Sequence, residues 1–146
     1  MINFLRIIVF ICVVLLSAEA MSACSDGEWW SIDKEYRQSE FVFVGEVIAE
    51  KPDPGVEGKD KWIAGTFYSL KVKKLFKGIS VGSINLFSEN SSGRFPMKER
   101  VEYLIFASYC DGRLFAYSKG NSGELTKVKK VMKQVKRLSR EKSNVH

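Results

Sequence analysis

Eight consecutive residues, Phe41-Val42-Phe43-Val44-Gly45-Glu46-Val47-Ile48, constrain the fold of this chain more than any other stretch. Branched and aromatic side chains suit a pleated surface better than a helix, and eight residues are few for a helix of ordinary length. The run predicts a strand, closed by the turn cluster Pro52-Asp53-Pro54-Gly55. Thr66 to Leu75 alternates, with Tyr68, Leu70 and Val72 on one face and Ser69, Lys71 and Lys73 on the other, the pattern of a half-exposed antiparallel strand. Lys77-Gly78 predicts a turn, Ser83 to Phe87 a third strand and Glu89 to Gly93 a loop. Val101 to Tyr109 predicts a fourth strand, and Asp111-Gly112 a tight hairpin into a fifth, Leu114 to Tyr117. Five short strands at this spacing make the chain mainly β, a small antiparallel sandwich or barrel.

Two helices flank the strands. Glu28 to Gln38 is polar with Trp29, Trp30, Ile32 and Tyr36 spread through it, and Ser31 is placed to cap a short helix. In the tail, Leu125, Val128, Val131, Met132, Val135 and Leu138 recur at helical spacing, so residues 124–146 predict a basic amphipathic helix and tail.

Residues 1–23 have the form of an export signal: Arg6, an apolar run from Ile7 to Leu16, then small residues. The run is shorter than the roughly 20 residues of a spanning helix. Ala18-Glu19-Ala20 suits an ordinary signal peptidase, whereas Met21-Ser22-Ala23 before Cys24 resembles a lipoprotein box, so Cys24 is a candidate for lipidation. The expected mature chain is one domain, residues 24–146, in the periplasm, at the outer membrane or outside the cell. Its Cys24 and Cys110 could pair, restricting the unfolded chain by about 4–5 kcal/mol, but a lipid on Cys24 would consume that sulfur. The formal net charge is +6, and much of it is local: Lys127 to Lys142 holds eight basic residues against one acid, Glu141. The body itself is near neutral and has no need of polyanions.

Four blocks of the chain then resemble a known family. Cys24-Ser25, Phe41 to Val47, Tyr68-Ser69-Leu70-Lys71-Val72-Lys73-Lys74-Leu75-Phe76-Lys77-Gly78, and Glu102-Tyr103-Leu104-Ile105 with Asp111-Gly112 are similar to the N-terminal domain of the tissue inhibitors of metalloproteinases and its bacterial relatives. The resemblance implies a five-stranded antiparallel Greek-key barrel of the OB type with a short N-terminal helix. It also implies an inhibitory terminus, in which the free α-amine and carbonyl of Cys24 chelate a protease zinc and Ser25 enters the specificity pocket. An amide nitrogen cannot do this, because its lone pair is delocalised, so processing decides the chemistry. The family's Cys-x-Cys start stands here as Cys24-Ser25-Asp26, and the cysteine expected near Ser118 is absent.

Enzymatic chemistry finds little support. A hydrolase needs a convergent nucleophile and base, and a metal site needs clustered ligands, yet the single histidine is His146. No catalytic residue, resident metal or cofactor is expected. Trp62, Phe67 and Lys71 could form a stacking face on a barrel, though export argues against nucleic acid. The expected partners are a protein, with a zinc metalloprotease as the alternative reading, and an anionic membrane surface met by the basic tail.

Overall fold

The structure is a computed structural model, and it describes residues 30–53 and 64–143. The expected export signal, Cys24, Ser25, Trp29, Trp62 and His146 lie outside the described residues. The element order is α1 (Ile32–Gln38), β1 (Phe41–Asp53), β2 (Gly65–Lys77), β3 (Ser83–Glu89), β4 (Glu102–Cys110), β5 (Arg113–Phe115), β6 (Gly123–Glu124) and α2 (Lys129–Ser143). The chain is mainly β, as expected.

One six-stranded sheet runs in the order β1-β2-β3-β5-β4-β6, and β1 pairs with β4 as well. All pairings are antiparallel except one. Strands β3 and β5 meet in parallel through a single pair, Phe87 opposite Phe115, so no full ladder joins them. The expectation of a wholly antiparallel sheet is corrected there, and β6 adds a two-residue strand that the sequence did not signal.

The apolar density of the first strand has a physical reason. Phe41, Phe43 and Val47 enter one core with Tyr68, Leu70, Leu86, Tyr103 and Ile105. Val42 and Val44 enter a second core with Tyr36, Leu104, Phe106, Val135 and Leu138. Strands β1 and β4 are therefore covered on both faces, and their sequences run apolar instead of alternating. Strand β2 has one wet face and alternates as read: Tyr68 and Leu70 are buried, Lys71 and Lys73 exposed.

Element boundaries moved by one to five residues, β5 running Arg113–Phe115 where Leu114 to Tyr117 was expected, and the largest shifts, in β1 and the two helices, are these. Strand β1 runs through the expected turn to Asp53, with Pro52 opposite Thr66. This far along, β1 has left β4, whose pairing ends at Glu46, so a residue without an N–H is tolerated on the free edge. Helix α1 starts at Ile32 with Ser31 as its cap, and Trp30 precedes it. Helix α2 starts at Lys129, so Leu125 and Val128 lie before it, yet both pack on the second core. The Leu125 amide donates to the Glu102 carbonyl at 2.9 Å, continuing the β4–β6 pairing and holding Leu125 out of the helix. The Asp111-Gly112 hairpin is present, both residues at positive φ (49° and 74°) between Cys110 and Arg113.

Gly65 opens β2 where a side chain has no room. A Cβ there would lie 2.5 Å from the Phe87 ring and closer still to the Ser88 carbonyl oxygen. Gly65→Ala should cost about 1–3 kcal/mol, read as a lower denaturant midpoint at unchanged slope.

Candidate functional site

The chain enters the described region at Trp30, and a buried carboxylate organises that entry. Ile32, Glu35 and Tyr36 share the inner face of α1, which places Glu35 at 2% exposure. Its Oε2 accepts from the Asn121 backbone N–H at 2.7 Å and from Asn121 Nδ2 at 2.5 Å. The same Nδ2 donates to the Trp30 carbonyl at 3.0 Å. Glu35 Oε1 is buried without a hydrogen-bond partner. Gly120 lies against it, and any Cβ at position 120 would collide with Oε1. Burial raises the Glu35 pKa above its ordinary 4.5, and the two Asn121 bonds oppose that rise. The Trp30 ring sits 6.2 Å from that of Tyr117, with the Lys34 ammonium 5.1 Å from the Trp30 centroid. Glu35, Asn121, Trp30 and Tyr117 thus tie the segment arriving from the N-terminus to the loop before β6.

The C-terminal end of α1 is tied down too. Lys77 Nζ donates to the carbonyls of Tyr36 at 2.9 Å and Arg37 at 2.6 Å, as expected for a cation at a helix C-terminus. Burial, aided by the charge of Lys142, lowers its pKa.

Of the residues expected to act, Cys110 ends β4 opposite Arg113, is half-buried, and is not a free thiol. The candidate partner Cys24, with its zinc-chelating and lipidation roles, lies outside the described residues, as does Ser25. On the possible stacking face, Lys71 is exposed and Phe67 half-buried. The Phe67 ring is already covered: Phe87 lies 4.8 Å away, and the Arg113 guanidinium sits 5.6 Å from Phe67 and 4.3 Å from Phe87. Arg113 in turn pairs with Asp53 at 3.3 Å. Phe67 therefore supports the fold at this spot and presents little open ring to a ligand. Among the described residues, no three His, Cys, Asp or Glu side chains converge as a metal site requires.

The sequence reading missed Glu35, Gly120 and Asn121. The available signal was the position of Glu35 between Ile32 and Tyr36 on one helix face; nothing marked its partner 86 residues away. No protein-family model matches this chain, and no curated protein matches it.

Proposed function

We propose that this chain is an exported, non-catalytic binding or structural module of the cell envelope, built on a five-stranded Greek-key barrel of the OB type like that of the metalloproteinase inhibitors. The observation that carries the reading is the strand order. Strand β1 pairs with both β2 and β4 while β3 meets β5, so the order returns to its starting strand, which is how such a barrel would close. Its partners are proteins and, through the basic helix, an anionic membrane surface.

A second reading is inhibition of a zinc metalloprotease, with which the state of Cys110 is compatible. Cys110 is not a free thiol, and in the mature chain Cys24, which lies outside the described residues, is the cysteine that could pair with it. A bridged Cys24 cannot carry a lipid on sulfur, but its amine could still chelate zinc if processing exposed it.

The mass of the mature N-terminal peptide, with a titration against zinc metalloproteases, separates the two. We expect Met21-Ser22-Ala23 to precede Cys24 and no inhibition to follow, since an amide nitrogen replaces the chelating amine. An acyl chain on Cys24 would also support the envelope module, though it would remove the bridge. A bare Cys24 with stoichiometric inhibition would replace the first reading by the second.

A further inference from the structure

A groove of about 820 Å³ runs between α2 and the sheet, within the size range of small-molecule sites. Its floor is apolar, built from Val44, Phe76, Leu125 and Met132. Its rim holds four cations, Lys74 on β2, Arg100 before β4, and Lys129 and Lys136 on α2, against one carboxylate, Glu102. Among the described residues none of these four cations forms an ion pair. Their neighbours Lys73 and Lys127 are matched, to Glu46 and Glu124, each at 2.6 Å. Cations without an ion pair also stand elsewhere on the described surface, Lys130 and Lys133 among them, but at this groove four of them surround an apolar floor with one carboxylate between them.

Arg100 carries a second mark. It occupies the left-handed region at φ 64°, which is costly for any residue with a side chain. A clamp holds it there: the Arg100 N–H donates to the Val47 carbonyl at 2.8 Å, and the Val47 N–H donates to the Val101 carbonyl at 3.2 Å. Strain of this kind persists where the surroundings over-determine it, and it gathers at binding sites.

We propose that this groove binds an anionic phospholipid at a membrane surface, its phosphate among Lys74, Arg100, Lys129 and Lys136 and its first methylenes on Val44, Phe76 and Met132. Charge complementarity calls for an anion, and the apolar floor calls for hydrocarbon beside it. An acidic peptide fits less well. Val44 is paired on both sides, with Lys74 and Leu104, and α2 satisfies its own backbone, so the groove offers an extended chain no free backbone partner there. The inference rests on the envelope reading for the membrane it meets, and it is independent of how the N-terminus is processed.

The test is co-sedimentation of the mature full chain with vesicles of phosphatidylglycerol and phosphatidylcholine in equal parts, beside vesicles of phosphatidylcholine alone. Binding is expected on the anionic vesicles. At about 1 kcal/mol per cation near the surface, Arg100→Gly should weaken it about fivefold and Lys136→Glu roughly thirtyfold. Lys133→Glu, the same charge change on α2 outside the groove, should cost less than about threefold. Because glycine tolerates a positive φ, Arg100→Gly should melt no lower than the parent, so loss of binding by that variant is not loss of fold. Three results would each overturn the proposal: no binding to anionic vesicles, equal losses for Lys133→Glu and Lys136→Glu with none for Arg100→Gly, or tighter capture by polyglutamate than by vesicles. Failure here with a Met21 start sinks the groove and, where no anionic vesicle is bound at all, the membrane surface as a partner, and leaves the exported module with its protein partners standing.

Discussion

Replacing Asn121 with alanine is expected to cost about 3 kcal/mol of stability at neutral pH, and the loss should shrink on acidification. Asn121→Ala removes the Nδ2 donor that serves both the Glu35 carboxylate and the Trp30 carbonyl, leaving a buried charge with one backbone hydrogen bond. The direction of the pH effect follows from the raised pKa. Below 4.5 the Glu35 carboxyl is protonated in the folded and the unfolded chain alike, and its burial carries no charge penalty. As pH rises through 4.5 the unfolded chain ionises first, so stability falls until the folded carboxyl has ionised too. Without Nδ2 the folded pKa climbs further, which widens that window and deepens the fall. Urea midpoints for both proteins between about pH 4 and about pH 8 would show it, with Glu35→Gln as the control whose stability does not decline across the window. A deficit of the same size at every pH would mean that Asn121 matters for packing and not for the charge it faces.

What the sequence disclosed and what it hid divide along the range of the interactions. Strands β1 to β4 were legible because branched and aromatic side chains sit where a pleated surface is covered, and β2 announced its wet face through Lys71 and Lys73. The hairpin was legible because Asp111 and Gly112 must both accept a positive φ. The length of β1 was not, since Pro52 reads as a breaker unless its edge is known to be free. The start of α2 was misplaced because Leu125 and Val128 keep the apolar period of the helix while their backbones serve a turn and the short β6 pairing. The candidate sites were the least legible. Glu35 shares a helix face with Ile32 and Tyr36, but its hydrogen-bond partner comes from a distant loop that nothing local marks. Arg100 gives no local sign of its left-handed backbone, because the clamp that imposes it comes from Val47 in β1.

Phe43→Ala should be the most damaging single substitution, at about 3–5 kcal/mol, a large part of the 5–15 kcal/mol typical of a whole domain. The ring is fully buried, and its strand is hydrogen-bonded to β2 on one side and β4 on the other, so the backbone cannot move in to fill the void. The ring also lies over Gly45, where an added Cβ would meet Phe43 Cε2 at 2.8 Å and Leu70 Cβ at 3.2 Å. That contact makes the two positions interdependent. In the parent, Gly45→Ala should cost about 1–3 kcal/mol by overpacking. Once Phe43 is alanine the ring is gone, the methyl group has space, and alanine suits a strand better than glycine by about 0.5–1 kcal/mol. The double variant should therefore be more stable than Phe43→Ala alone, with a coupling above about 1 kcal/mol in a double-mutant cycle. Additive losses would show that Leu70 and not Phe43 excludes a side chain at position 45, and that the ring does not rest on the strand as the geometry has it.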